Sequence, residues 1–119
     1  MRRDRIGFKY AFSGIATALK HEHNIRIHFI ITFLTIFTGI WIGLSAIEWL
    51  FILIAIGLVL ALELVNTVIE TITDVLFTST HETAKRIKDM SAAAVLIAAT
   101  FASLVGIIIF LPKIMDLLF

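Results

Sequence analysis

Three long apolar stretches, separated by short polar ones, dominate the pattern of the chain. They cover residues 29–47, 49–69 and 91–111. Each approaches the length of about 20 apolar residues that an α-helix needs to cross the hydrocarbon core of a bilayer. Because only residues 45–48 join the first two, we predict a tight turn between antiparallel helices there. Trp41 and Trp49 flank this turn, and tryptophans are typical of membrane surfaces.

The segment before the first apolar stretch has an amphipathic pattern. Apolar residues recur at helical spacing, and basic or small polar residues occupy the other side. The apolar set is Phe8, Phe12, Ile15 and Leu19, and the polar set is Arg5, Lys9, Ser13 and Lys20. This pattern predicts that residues 1–27 form a helix lying in the membrane interface. A surface anchor with no further role would show the same pattern.

The composition agrees with a membrane protein and narrows its chemistry. Apolar residues make up 60% of the 119 residues, and the mean hydropathy is +1.02, whereas soluble domains are about half apolar. Because the chain has no cysteine, disulfides and thiolate zinc sites are excluded. We therefore predict an all-α integral membrane protein in which residues 1–119 form a single domain.

The basic residues are distributed unevenly. Nine of the ten Lys and Arg residues precede the first apolar stretch or lie in the polar segment 71–90, and only Lys113 lies at the other end. Lys and Arg are enriched on the cytoplasmic side of membrane helices. The N-terminus and segment 71–90 are therefore predicted to be cytoplasmic, and the C-terminus to be outside.

Glu63 interrupts the second apolar stretch, at a depth where a carboxylate costs roughly 2.5–3.5 kcal/mol on membrane-insertion scales. Asn66, Glu70 and Asp74 follow it at helical spacing, so all four side chains share one helix face. Such a row of oxygen ligands suits Mg²⁺, which proteins hold with one or two carboxylates and substrate phosphates. A polar seam that only joins helices is the alternative, but three acids without matching bases argue against it.

Charged side chains also lie where two apolar stretches begin. Lys88 and Asp89 precede the third, and Glu22 and Arg26 precede the first. Acids for a cation beside bases for phosphate are typical of phosphoryl transfer. A lysine that reaches the membrane surface and an i,i+4 ion pair would give the same pattern without function. The sequence has no Gly-rich phosphate loop of the P-loop type, so spacing and charge alone predict only a metal-dependent site at the membrane surface.

Other features leave alternatives open. Ala98, Ala102 and Gly106 recur every four positions and indicate close helix packing, either within one chain or between chains. His28 is predicted to lie at the membrane surface. His81 either contacts a ligand or lies in solvent.

Several segments resemble the prokaryotic diacylglycerol kinase family, and the likeness extends from Arg3 to Pro112. They are Glu22-His-Asn24-Ile-Arg26-Ile-His28, Glu63-Leu-Val-Asn66-Thr67-Val-Ile-Glu70-x-x-x-Asp74, His81-Glu82 and Lys88-Asp89-Met-Ser-Ala-Ala-Ala-Val95. The resemblance implies a homotrimeric lipid kinase of the bacterial inner membrane, with active sites shared between neighbouring chains. It also implies a lipid alcohol and ATP as substrates, Mg²⁺ as the cation, and no nucleic-acid partner.

The resemblance further implies roles for individual residues. Glu63 resembles the general base that accepts the proton of the lipid hydroxyl, and Asn66 would orient the reacting groups. Glu22 and Glu70 resemble the residues that hold the divalent cation. The nucleotide site would consist of these two cation ligands together with Arg3, Tyr10, Asp74, His81, Lys88 and Asp89.

Within the family, two features favour an undecaprenol kinase over a diacylglycerol kinase. Kinases specific for diacylglycerol usually have Gly-Ser after Lys-Asp-x, whereas this chain has Ser91 and Ala92. The Glu-x-Asn-x-Arg-Ile-His run resembles that of the Gram-positive branch, which prefers undecaprenol. A diacylglycerol kinase is the alternative. From other classes, a small multidrug transporter would have four spans, and a structural membrane subunit would leave the acidic row unexplained.

Overall fold

The computed structural model describes residues 7–119, which form four α-helices. The helices are α1 (Gly7–His21), α2 (His23–Ile42), α3 (Ala46–Leu76) and α4 (Glu82–Leu118). The last three are long and apolar enough to cross a membrane. The predictions of an all-α fold and of three such helices are therefore confirmed.

A break between α1 and α2 divides the segment 1–27, which was predicted to be one helix. Glu22 has an extended backbone at the break, with φ −114° and ψ 115°. Arg26 stabilises the break because its Nη1 donates hydrogen bonds to the carbonyls of Leu19 and Lys20, at 3.0 and 3.1 Å. Carbonyls in the last turn of a helix lack partners in the helix itself. Because α2 begins at His23, the last residues of the predicted amphipathic segment 1–27 form the first turn of α2.

The turn between α2 and α3 lies at residues 43–45, slightly before the predicted segment 45–48. Gly43 ends α2 because it adopts a left-handed conformation (φ 85°), which residues with a Cβ rarely adopt. Ser45 caps α3: its Oγ accepts the Glu48 backbone N–H at 3.2 Å, and the Glu48 carboxylate accepts the Ser45 N–H at 2.9 Å. This capping box makes Glu48 part of the first turn of α3.

Helices α3 and α4 both extend beyond their apolar stretches. As a result, most of the polar segment 71–90 is helical, and only residues 77–81 connect the two helices. α4 also continues through Pro112, where the apolar stretch was expected to end. Proline has no N–H, so the carbonyl four residues earlier loses its helical partner. This loss is tolerated near the end of a long helix.

Helix α3 packs mainly against α4 and less extensively against α2. Ile52 belongs to its buried face. Gly39 of α2 allows a close approach, since a Cβ at this position would lie 2.8 Å from the Trp49 ring. Lys113 of α4 forms an ion pair of 3.2 Å with Glu48. We call the region around this ion pair and residues 43–48 the turn end of the bundle.

The buried face of α3 becomes polar with distance from the turn end. The buried residues there are Glu63, Asn66 and Thr73. Beyond them, residues 70–90 carry charged side chains on the ends of α3 and α4. We call residues 70–90 the polar end of the bundle. The fold therefore leads from an apolar interior to a charged surface along one helix face.

Candidate active site

Glu63 and Asn66 lie on the buried face of α3, near the end of its apolar stretch. Only 3% of Glu63 and 6% of Asn66 is exposed. The deepest residues of the predicted row therefore face the inside of the bundle. Exposure increases along the row, since Glu70 is half-buried and Asp74 is exposed.

Asn66 is held by a hydrogen bond across the interface of two helices. The Ser91 hydroxyl of α4 donates to the Asn66 Oδ1 at 2.6 Å, and both residues are buried. The bond fixes two polar groups in a place where an unpaired amide would be costly. Sequence reasoning used Ser91 only to choose between family branches. Its contact with Asn66 adds it to the candidate site.

His28 is a second residue of the site that sequence reasoning missed. It projects from α2 toward α3, and its Nε2 lies 3.6 Å from the Glu63 Oε2. The sequence predicted only a position at the membrane surface for His28. A signal was present, because an acid inside a membrane requires a partner and His28 stands at the start of a neighbouring apolar stretch.

The two predicted cation ligands belong to different elements. Glu22 occupies the break between α1 and α2, and with Thr71 it lines a cleft of about 620 Å³ between α1 and α3. Glu70 lies two turns beyond Glu63 on α3. Both carboxylates are close enough for their charges to act on the Glu63 carboxyl. Within residues 7–119, no three His, Cys, Asp or Glu side chains are placed to hold a metal ion. The cation site at these two carboxylates stays a prediction.

Four residues predicted to bind nucleotide surround one open pocket of about 310 Å³ at the polar end. They are Asp74, His81, Lys88 and Asp89. The Lys88 ammonium donates to the Asp74 Oδ1 at 2.8 Å and so joins α4 to α3. Lys85, which also lines the pocket, donates to Asp89 at 2.6 Å. The pocket thus combines cationic nitrogens with carboxylate oxygens, the groups that bind a phosphate and its cation.

His81 has a second role, and the predicted nucleotide ligands Tyr10 and Arg3 do not belong to this group of four. The His81 Nδ1 accepts the Thr83 backbone N–H at 3.0 Å and caps α4, while its ring packs on Phe77 with centroids 4.9 Å apart. His81 therefore stabilises the helix start as well as lining the pocket. Tyr10 lies on α1 with about half of its surface exposed (51%), and it does not line the polar-end pocket. Arg3 lies outside the described residues.

A mainly apolar cavity of about 250 Å³ lies deeper in the bundle, between α2, α3 and α4. His28 and Val59 line the cavity on the side of Glu63, and Ala102 and Gly106 contribute to its α4 wall. Two of the three repeated small residues of α4 therefore face a cavity within one chain, whereas Ala98 is buried and does not line it. The candidate site as a whole consists of a buried carboxyl between this apolar cavity and a polar pocket.

Comparison with known proteins adds an independent finding. The family model for prokaryotic diacylglycerol kinases matches residues 9–110. The chain is 37% identical to the undecaprenol kinase of Bacillus subtilis, over 89% of this chain and 86% of that protein. It is 36% identical to a diacylglycerol kinase of Synechocystis over 95% of this chain, which is 65% of that protein's length. It is also 31% identical to the diacylglycerol kinase of Escherichia coli, over 78% of this chain and 76% of that protein.

Proposed function

Because this chain belongs to the prokaryotic diacylglycerol kinase family and is a lipid kinase, we propose that it transfers the γ-phosphoryl group of ATP to undecaprenol. The products are undecaprenyl phosphate and ADP. The choice of lipid is carried by the similarity to an undecaprenol kinase over most of both chains. Ser91 and Ala92, in place of Gly-Ser, support the same choice. Diacylglycerol is the alternative lipid, since two of the relatives above are named for it.

The central step is a direct transfer in which Glu63 is the base. Glu63 accepts the proton of the lipid hydroxyl while the hydroxyl oxygen forms a bond to the γ-phosphorus. The bond from that phosphorus to the oxygen bridging to the β-phosphate breaks, and ADP leaves with the electron pair. No phosphorylated enzyme forms. The burial of Glu63 supports this role, because a water-excluding site favours transfer to the lipid over hydrolysis.

Asn66 orients the reacting groups beside Glu63 in this proposal. Its Oδ1 already accepts the Ser91 hydroxyl. The amide nitrogen has two N–H donors. It lies close enough to interact with the Glu63 carboxylate, and it can also bond a phosphate or hydroxyl oxygen. The hydrogen bond to Ser91 supports this role because it fixes the plane of the amide before substrate binds.

The proposed cation is Mg²⁺, and Glu22 and Glu70 hold it. Two carboxylates suit this ion, which usually keeps several waters and takes further ligands from substrate phosphates. When bound, it neutralises negative charge on the β- and γ-phosphates. Glu22 is presented for this role by the break between two helices, and Glu70 by the half-buried face of α3.

ATP binds at the polar end in this proposal. Its site consists of four residues of the polar end, Asp74, His81, Lys88 and Asp89, together with Arg3 and Tyr10 of the N-terminal segment. Lys88 supplies a positive charge, and a phosphate would take the place of Asp74 as its partner. The pocket at the polar end supports this assignment, because it is open and brings four of these side chains together.

The lipid reaches the site laterally from the bilayer, with its hydroxyl at Glu63 and the adjoining part of its chain in the apolar cavity. The cavity of about 250 Å³ is smaller than the usual ligand pocket of roughly 300–1,000 Å³. It can therefore hold only the part of the chain next to the hydroxyl, and the rest stays in the bilayer.

The proposal includes the orientation of the protein in the membrane and its oligomeric state. The N-terminus and the polar end lie on the cytoplasmic side of the bacterial inner membrane, and the C-terminus lies outside, as the distribution of Lys and Arg supports. α1 lies in the membrane interface, because Phe8 and Phe12 are 80% and 68% exposed and need an apolar environment. The resemblance supports a homotrimer with shared sites, which cross-linking in bilayers tests.

An assay of the purified protein in mixed micelles tests the function. ATP labelled at the γ-phosphate is offered with undecaprenol or with diacylglycerol, each with and without Mg²⁺. We expect Mg²⁺-dependent label in undecaprenol well above that in diacylglycerol. The reverse preference would overturn the lipid assignment and keep the mechanism. A folded protein that labels neither lipid would contradict the proposed reaction.

A further inference from the structure

His28 and Glu63 connect α2 with the acidic row of α3. The His28 Nε2 lies 3.6 Å from the Glu63 Oε2, and the two side chains are 22% and 4% exposed. A carboxyl group at this depth is expected to face the interior of the bundle and to pair with another group. Among the contacts between basic and acidic side chains in the described residues, the one that involves Glu63 is its contact with His28.

The position of His28 also connects Glu63 with the apolar cavity, because His28 lines that cavity. The other histidines have different surroundings. His21 and His23 are exposed beside the break between α1 and α2, and His81 caps α4. His28 is therefore the histidine at which the buried carboxyl and the apolar cavity meet.

We propose that His28 is a positioning residue for the transfer reaction, which holds the Glu63 carboxyl at the edge of the apolar cavity. The inference rests on the proposed role of Glu63 as base. A lipid whose chain occupies the cavity brings its hydroxyl to the place where His28 and Glu63 meet. A base that is itself oriented by a third group is a recurrent arrangement in enzymes.

The surroundings of Glu63 explain why it needs such a partner. Glu22 and Glu70 lie close enough to repel an ionised Glu63 carboxylate, whereas the Asn66 amide and the His28 imidazole stabilise it. Without His28, the carboxylate loses its contact with α2, and more side-chain rotamers become accessible to it. The separation of 3.6 Å exceeds the length of a hydrogen bond. His28 therefore guides the carboxylate electrostatically and leaves its oxygens able to accept the substrate proton.

Steady-state kinetics of His28→Leu and His28→Gln test the positioning role. Leucine suits an apolar helix but removes the N–H donor, whereas glutamine keeps an N–H donor. We expect kcat to fall on the order of 10- to 100-fold in His28→Leu, because the base is misplaced, and to recover largely in His28→Gln. The KM for ATP should not change in either variant. The matched control is His23→Leu, an exposed histidine on the same helix, which should keep the wild-type kcat.

A normal kcat in His28→Leu, or an equal loss in both variants, would overturn the positioning role. A double-mutant cycle of His28→Leu and Glu63→Gln in thermal unfolding adds a measurement that needs no turnover. Residues in contact should give non-additive effects, and additive effects would overturn the pairing itself. If the cycle shows this coupling but the wild-type protein labels no lipid alcohol, the proposed function is overturned and the pairing of His28 with Glu63 is not.

Discussion

The buried part of the candidate site and its polar end are built differently, although α3 contributes to both. In the buried part, Glu63 and Asn66 are almost inaccessible, and each contacts a side chain of another helix. At the polar end, the side chains of the Lys85–Asp89 ion pair are 76% and 60% exposed, and Asp74 is 66% exposed. The site therefore has fixed contacts in its buried part and solvent-exposed ones at the polar end.

The difference follows from what surrounds the polar groups. Water screens exposed ion pairs, so they contribute little to stability, and a phosphate can replace Asp74 beside Lys88 at low cost. A buried polar group that loses its partner has no water to replace it. The side-chain contacts of the buried part are therefore formed before substrates bind. At the polar end, a charged side chain such as Lys88 can exchange its partner when a charged ligand binds. Four substitutions test this comparison.

The largest effect is expected for Glu63→Gln. The change keeps the shape of the side chain but removes the base, so turnover should fall by about 10²- to 10⁴-fold. Nucleotide binding and thermal unfolding should stay close to those of the wild type. Lipid phosphorylation and ATP binding are measured on the same preparation, with Glu82→Gln, an exposed acid in the first turn of α4, as control. Near-normal turnover would contradict the role of Glu63.

Lys88→Met is expected to weaken the binding of ATP and to leave the binding of the lipid unchanged. Loss of one charge-assisted contact to a phosphate should raise the KM for ATP about 10-fold or more. The KM for the lipid should not change, because the polar-end pocket is separate from the apolar cavity. Arg86→Met is the control, since Arg86 is exposed on α4 and does not line the pocket. An effect mainly on the lipid would show that the two parts are not separate.

Ser91→Ala is expected to lower stability. It leaves the Asn66 Oδ1 without its donor inside the bundle, which should reduce the free energy of unfolding by about 1 kcal/mol. Ser103→Ala is the matched control, because the Ser103 hydroxyl bonds only to a carbonyl of its own helix. Thermal unfolding in detergent measures both variants. Equal effects would mean that the hydrogen bond between α3 and α4 contributes nothing beyond the local one.

Lys85→Ala is expected to have the smallest effect. The Lys85–Asp89 pair is exposed and lies within one helix, so its loss should not move the unfolding midpoint measurably at physiological salt. Unfolding is compared at low and high ionic strength. A destabilisation as large as that of Ser91→Ala, and insensitive to salt, would break the distinction between the two parts of the site.

The number and kind of helices could be predicted because membrane physics leaves few choices. An apolar stretch of spanning length must form a helix to satisfy its backbone groups in lipid. The ends of the helices were less predictable because local hydrogen bonds decide them. Gly43 and the Ser45–Glu48 capping box move the turn toward the N-terminus. The Arg26 contacts accompany a break that the amphipathic pattern did not indicate.

The candidate site could be predicted along one helix but not across helices. Residues at helical spacing share a face, so the row that begins at Glu63 was visible in the sequence. The partners His28 and Ser91 depend on how α2 and α4 are rotated against α3, and spacing within one helix does not specify this. For the same reason the sequence indicated that Ala102 lies in a close-packed stripe but not that it faces a cavity.

The ion pair between Glu48 and Lys113 has a mechanical consequence. It links the first turn of α3 to the last part of α4, and the Asn66–Ser91 and Asp74–Lys88 contacts link the same two helices farther along. Helices rise about 1.5 Å per residue, which places Asp74 roughly 39 Å along α3 from Glu48. Contacts at both ends of this length and in between resist tilting of α3 against α4. The exchange of partners that we propose for Lys88 therefore needs only a movement of side chains, and the helix pair keeps its arrangement.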